Sequence, residues 1–273
     1  MDSTRSLGFA QASIPDAYDR YMLRQLFEPW AAELVRRAAL QPGSSVLDVA
    51  SGLGPVARLS AAAVGARGRV VASDISAAML AHAAVQHDDP ASSVAPVEFL
   101  ECSASASKAD ADSFDAVLCQ QGLQFFPDRV AAAREMRRVA RPDGVVLVST
   151  WAAERPLGLF GPINETLREQ GMAEPFPHAF DSGTYRVGVP ELRDVLLTAG
   201  WRDVQVETVE LDVVGPSARE AACAVLGTPF GPLISALPIA DQEAIRARLM
   251  SKLGGSSAGV TVRTASNIAQ AVK

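Results

Sequence analysis

The residues with chemical potential gather early in the chain. The run VLDVASGLGPVA, Val46 to Ala57, carries a Gly52-x-Gly54-x-x-Ala57 spacing. Glycine lets a backbone turn sharply and approach a ligand closely. A helix opening at Pro55 presents its N-terminus to negative or polar groups. Asp74 stands twenty positions after Gly54, where a carboxylate can accept both hydroxyls of a ribose. These two features suit a nicotinamide dinucleotide as well as any other adenosyl cofactor. Asp48, four residues before Gly52, separates the two. An aspartate inside a buried strand needs compensation. It repels a pyrophosphate, and it attracts a cation or braces the N–H groups of the loop. S-adenosylmethionine fits, because it offers adenosine, a sulfonium, an α-ammonium and no phosphate.

The elements that must hold these residues alternate. Residues 15–40 read as a helix, with Tyr18, Tyr21, Met22, Phe27, Trp30, Leu34 and Val35 at helical spacing, stopped by Pro42 and Gly43. Apolar runs at Val46–Ala50, Arg69–Asp74, Val97–Cys102, Phe114–Gln120 and Val145–Trp151 read as strands. Helices read at Pro55–Val64, at Ile75–Val85 with Ser76 as N-cap, and at Arg129–Ala140, the last ended by RPDG. Such alternation gives a doubly wound α/β domain with its ligand at the strand carboxyl ends. After Trp151 proline and glycine become frequent. Helices are expected near Ile163–Glu169 and Pro190–Ala199, and residues 217–253 read as mostly helical. Val204–Val214 alternates as a strand, and Val260–Val272 reads as a final edge strand or hairpin partner. The expected organisation is one domain over 1–273. Its core covers 40–151, 190–214 and 260–273, with a cap helix at 15–40 and lid segments at 152–189 and 216–258.

Composition narrows the class. The 273 residues are 48% hydrophobic and 21% charged, with a net charge of −6. That excludes a disordered chain and argues against an electrostatically driven nucleic-acid binder. No apolar stretch reaches the ~18 residues of a membrane span, and the N-terminus lacks the apolar core of a signal peptide. Cys102, Cys119 and Cys223 form no CxxC, and His82, His87 and His178 no metal-ligand spacing. The expectation is a cytoplasmic protein without a metal, acting on a small molecule, of unassigned oligomeric state.

The segments VLDVASGLG, SDIS with Met79 after it, SFDAVLCQQGLQFFPD and AAAREMRRVARPDGVVLVSTW, in this order and spacing, resemble class I S-adenosylmethionine-dependent methyltransferases. The likeness is closest to the ubiquinone/menaquinone-biosynthesis type of small-molecule methyltransferase. It covers residues 15–151 well and the rest loosely, through PELRDVLLTAGWRDVQVE. It implies a Rossmann-like seven-stranded sheet of order 3-2-1-4-5-7-6, last strand antiparallel, with helical lid insertions. It also implies that Asp48, Ala50, Gly52 and Gly54 lie at the methionyl moiety and that Asp74 takes the ribose. Ile75 and Met79 would pack by the adenine, with Ser103 and Ala104 at its edge, and Gln120 near the methyl, with Gln121 and Leu123 beginning the next loop. One of Tyr18 and Tyr21 would reach the methionyl carboxylate. Two residues depart from the pattern: Ala50 replaces a glycine, and Ser103 replaces an aspartate that would bind the adenine amino group with charge.

Methyl transfer is an in-line displacement in which the protein supplies orientation. Some acceptors need a general base, for which His178 in PFPHAF is the candidate. Gln121 and Gln124 would orient an acceptor without exchanging protons. Phe160, Met172, Phe176, Phe180, Phe230, Leu233 and Leu237 suggest an acceptor with apolar or aromatic surface, such as a secondary metabolite or a quinone-like molecule. Two other readings stand beside this one. One is a protein of the same fold with non-methylating chemistry or a binding role. The other is an NAD-dependent oxidoreductase, which would lack a Tyr-x-x-x-Lys pair and would have to accommodate Asp48.

Overall fold

The computed structural model describes residues 18–87, 94–153, 155, 160–171, 186–214, 217–223, 234–254 and 261–273. A π-helix at Asp19–Phe27 runs directly into α1, Glu28–Ala38. Then follow β1 (Ser45–Val49), α2 (Pro55–Val64), β2 (Arg69–Asp74), α3 (Ala77–His87), β3 (Val97–Glu101) and β4 (Phe114–Gln120). A 3-10 turn at Leu123–Phe125 leads to α4 (Arg129–Val139) and β5 (Ala140–Trp151). The remainder is α5 (Phe160–Glu169), α6 (Val189–Thr198), β6 (Arg202–Val214), α7 (Ala218–Cys223), α8 (Ile239–Lys252) and β7 (Thr261–Val272).

The seven strands form one sheet in the order β3-β2-β1-β4-β5-β7-β6. Strands β1 to β5 are parallel, and β7 runs antiparallel to both β5 and β6. The strands read as unbroken apolar runs because both faces are covered. On one face Val46, Val70, Leu118, Leu147 and Ile268 meet α1, α2 and the lid helices α5 and α8 through Trp30, Leu34, Val56, Ile163, Leu167, Ile245 and Leu249. On the other, Leu47, Val117, Val146, Val148 and Ala269 meet α4 and α6 through Met136, Val139, Leu192 and Leu196. Each such side chain, fully buried, contributes about 1.5–3 kcal/mol. The connection from β3 to β4 holds no helix among its described residues, 102–113. Arg138 of α4 holds it, donating to the carbonyls of Ser107 and Ala109.

The sheet order is the one the resemblance implies, with β7 between β5 and β6. Three details differ from what the individual runs suggest. First, β7 is the antiparallel partner of β6 and not the edge strand that its run alone also allowed. Its polar Thr264, Ser266 and Asn267 are all buried and bonded to neighbours. Trp30 Nε1 donates to Thr264 Oγ1 at 3.0 Å, and Asn267 Nδ2 to the Val187 carbonyl at 2.7 Å. Second, β5 begins at Ala140, so RPDG lies inside the strand. The turn residues are absorbed by an irregularity in pairing between Phe114 and Ala116. Third, the N-terminal helix is π-wound before Glu28. Pro29 sits in the first turn of α1. In an α-helix its ring would press on the carbonyl of the residue four before it, and the wider π turn avoids this.

The lid helices lie on the same face as the N-terminal helix. Glu169 of α5 pairs with Arg248 at 2.5 Å and Lys252 at 3.0 Å of α8. These are exposed pairs, so they steer register more than they stabilise.

Candidate functional site

The β1–α2 loop is built by its backbone. Ala50, Gly52 and Gly54 all take positive φ, 56°, 54° and 74°. Gly54 N donates to the Ser51 carbonyl and Ser51 N to the Ser73 carbonyl, which ties the loop to the end of β2. A Cβ placed on Gly52 would meet nothing within 4 Å. Its glycine is required by φ, and the space beside it is open to a ligand. Ala50 is the costly member, since an L side chain in the left-handed region is disfavoured by roughly 1–2 kcal/mol.

Two carboxylates border this loop. Asp74 Oδ2 accepts from Gly52 N at 2.9 Å and Oδ1 from Ser76 N at 2.8 Å. Asp48 Oδ2 accepts from Ala57 N at 3.0 Å, capping the first turn of α2 from inside β1. The remaining Asp48 oxygen, Oδ1, has no partner among the described residues, and neither has the buried hydroxyl of Ser51. Burial pushes the Asp48 carboxyl well above its ordinary range, helped by the nearby charge of Asp74 and opposed by the Ala57 N–H. Burial also raises Asp74, against the N–H groups of Ser76, Gly52 and Ile75. A buried, unpartnered carboxylate oxygen costs about 1–3 kcal/mol or more. An ammonium or other cation beside the loop would relieve that cost.

The N-terminal helix closes over one side. The Tyr18 ring stacks on Phe27 with centroids 4.8 Å apart. Burial, and then the charge of Asp74, raise the Tyr18 phenol well above its usual range. Tyr18 therefore lies within electrostatic reach of Asp74. Asp19 meets His82 of α3 at 3.3 Å. Gln120, at the end of β4, donates through Nε2 to the Phe27 carbonyl at 2.8 Å. From Phe27 the aromatic contacts continue to Trp151, 6.2 Å away, and on to Trp30, which meets Trp151 edge-on at 6.2 Å.

Beyond β4 the chain crowds the loop. A Cβ on Gly122 would lie 2.7 Å from Ala50 Cβ and 3.0 Å from Cys119 Sγ. Cys119 is fully buried and its thiol is pushed up to about 12, chiefly by burial and then by Asp48. It is a packing residue, not a nucleophile. Gln121 takes a φ of 53° and donates through Nε2 to Ser266 Oγ at 2.7 Å. Gln124 accepts through Oε1 from Trp151 N at 2.8 Å.

Asp48, Ala50, Gly52, Gly54, Asp74 and Ile75 thus share one locus at the carboxyl ends of β1 and β2. Met79 joins it from α3, where Ser76 Oγ accepts from its N–H at 3.3 Å. Cys102 N donates to the Asp74 carbonyl at 3.0 Å, which brings Ser103 and Ala104 alongside. Ser103 Oγ is engaged within its own turn, 3.1 Å from Ser105 Oγ. Leu123 packs instead in the core among Val49, Cys119 and Met136. Phe125 and Phe126 pack against the cores of opposite faces. His178, Met172, Phe176, Phe180, Phe230 and Leu233 lie outside the described residues, as do the side chains of Tyr21 and Phe160. Ser51, Gly122 and Ser266 were not singled out by sequence reasoning. A serine inside a glycine turn was the available signal for the first. Among the described residues no His, Cys, Asp and Glu group could hold a metal ion, and no helix is long and apolar enough to cross a membrane.

Comparison with known proteins bears on this locus. Residues 11–155 match the model of the ubiE/COQ5 methyltransferase family. A protein of Mycobacterium tuberculosis strain H37Rv without assigned activity is 35% identical over 147 residues, 54% of this chain and 50% of the relative. The ubiquinone/menaquinone biosynthesis C-methyltransferase UbiE of Hahella chejuensis is 36% identical over 119 residues, 44% of this chain and 47% of the relative. The chain thus spans about half the length of these curated relatives. Among solved structures, a Haemonchus contortus phosphoethanolamine N-methyltransferase 2 in complex with S-adenosyl-L-methionine superposes with a TM-score of 0.61. It is 19% identical, over 96% of this chain and 57% of that one.

Proposed function

This chain belongs to the ubiE/COQ5 methyltransferase family, a family of S-adenosylmethionine-dependent enzymes, and from that premise we propose that it transfers the methyl group of S-adenosylmethionine to a small molecule. The observation that carries the reading is Asp48: one carboxylate oxygen caps α2, and the other is buried without a partner among the described residues. That donor set fits the cationic end of S-adenosylmethionine and would repel the pyrophosphate of a nicotinamide dinucleotide.

Asp48 Oδ1 and Ser51 Oγ would hold the ammonium. Asp74 would take the ribose hydroxyls with the lone pairs left by Gly52 and Ser76. Ile75 and Met79 would flank the adenine, with Ser103 and Ala104 at its edge, and Tyr18 would cover the ribose from above. The cofactor, when bound, supplies an electrophilic methyl on a positively charged sulfur. The protein's work is to orient that methyl toward an acceptor and to exclude water. Gln120 fixes the cap to the sheet and so sets the depth of the site. His178 remains the candidate base for an acceptor that must lose a proton. We read the acceptor as a molecule with apolar or aromatic surface, of the secondary-metabolite or quinone-like kind. Residues 1–273 form a single methyltransferase domain in this reading.

Calorimetric titration with S-adenosylhomocysteine, with NAD in parallel, tests the reading. Micromolar binding of the former and no heat with the latter is expected. The reverse result would overturn the methyl-transfer reading.

A further inference from the structure

Gln121 and Gln124 leave the end of β4 together, and each ties one end of its amide to the sheet. Gln121 Nε2 donates to Ser266 Oγ, and Gln124 Oε1 accepts from Trp151 N. Trp151 and Ser266 are direct partners across β5 and β7. Both amides are therefore anchored to one cross-strand pair, Gln124 through the backbone of Trp151 and Gln121 through the side chain of Ser266. The backbone N–H of Trp151 can only donate, which turns the NH2 of Gln124 away from it. A complementary pair is left over: the carbonyl Oε1 of Gln121 and the NH2 of Gln124. Neither has a hydrogen-bond partner among the described residues, although Gln121 is only 5% exposed and Gln124 only 1%. Gln121 is also held at positive φ. A bulky residue keeps that conformation only where its surroundings demand it, and such positions cluster at functional sites. Trp151, whose backbone anchors Gln124, packs its indole on Phe27 and Trp30.

We propose that Gln121 and Gln124 are specificity-determining residues of the acceptor site, together binding a neutral hydroxyl or carboxamide on an acceptor with an apolar or aromatic body. The acceptor's own location rests on the methyl-transfer reading above. A hydroxyl donates to Oε1 of Gln121 and accepts from the NH2 of Gln124, so both unmet groups are satisfied at once. A carboxylate has no proton for Gln121. An ammonium has no lone pair for Gln124. Each would leave one amide unpaired and would surrender its own hydration in an apolar surrounding.

Four probes of similar size test this: benzyl alcohol, benzamide, benzoate and benzylammonium, titrated with and without saturating S-adenosylhomocysteine. The two neutral probes are expected to bind at least tenfold more tightly than the two charged ones. Gln124→Glu keeps the acceptor for the Trp151 N–H and replaces the donor with a carboxylate oxygen. It is expected to invert the order and make benzylammonium the tightest of the four. Gln121→Met is neutral and of similar length, so it tests the same point without a buried charge. It should weaken benzyl alcohol at least tenfold while leaving the affinity for S-adenosylhomocysteine unchanged. Equal or undetectable binding of all four probes by the natural protein would overturn the proposal, and so would an unaltered neutral preference in Gln121→Met. Failure of S-adenosylhomocysteine to bind would count against the cofactor site alone, because the order among the four probes still decides the role of the glutamines.

Discussion

On the proposed reading, Asp48 sets a conflict between stability and binding at the scale of single residues. An unfolded chain ionises this group near its ordinary value of 3.8, whereas burial raises it well above that in the folded protein. Between the two values the folded state holds the extra proton. Stability of the ligand-free protein therefore falls as pH rises through that window, and levels off above the folded value. Asp48→Asn removes the loss while keeping an acceptor for Ala57 N. It should raise ligand-free stability at neutral pH by about 0.5–2 kcal/mol, seen as a higher Tm. The same variant should weaken S-adenosylhomocysteine by about tenfold or more, through loss of a charge-assisted bond. A variant with both lower Tm and unchanged affinity would remove Asp48 from the site. Asp74→Ala is expected to weaken binding by about 1.5–3 kcal/mol, checked by calorimetry. It takes away the proposed ribose acceptor and also the partner of Gly52 N. These residues were legible in the sequence because a carboxylate next to a glycine turn is unusual chemistry in a short window. The anchoring of Gln121 was not, because its partner Ser266 lies 145 positions away.

Elements carry the next level of the design, and the close fit of two loops is its clearest case. Ala50 occupies a position that favours glycine, and Gly122 occupies the space that the Ala50 methyl leaves. Gly122→Ala should destabilise by about 1–3 kcal/mol through overpacking. Adding Ala50→Gly should recover most of that loss, because the 2.7 Å contact disappears and the strained φ is relieved. Denaturation of the single and double variants measures the coupling, and strictly additive losses would contradict it. The N-terminal helix offers a second test. Pro29→Ala removes the reason for the π turn and allows an α-helical register, which rotates Tyr18 away from Phe27 and Asp74. Weaker S-adenosylhomocysteine binding with unchanged thermal stability is expected, whereas unchanged affinity would show that Tyr18 does not cover the ligand. The strands and helices from β1 to α4 could be read from the sequence to within a residue or two because turn residues bound each apolar run. The π turn and the start of β5 could not, because proline and RPDG signal a break locally while long-range pairing and packing decide the geometry.

At the scale of the whole molecule the sheet brings distant segments to one end. The β1 and β2 loops, the end of β4 and the middle of β7 meet there, under an N-terminal helix and lid helices that share one face. The resemblance implied the interior place of β7, but its own run did not, because the buried Thr264, Ser266 and Asn267 look like surface residues until their partners are known. A ligand that binds only this assembled arrangement must stabilise all of it. At a hundred times its dissociation constant S-adenosylhomocysteine should add about 2.7 kcal/mol, or roughly 5–10 °C in Tm for a chain of this size. NAD at the same concentration should add nothing, and equal shifts from both would contradict a selective site.

The most direct measurement is a crystal structure with S-adenosylhomocysteine bound. The expected density places the ammonium within hydrogen-bond distance of Asp48 Oδ1 and the ribose hydroxyls on the Asp74 carboxylate. A ligand seated elsewhere, or one whose ammonium faces away from an Asp48 that still lacks a partner, would contradict the assignment of this site.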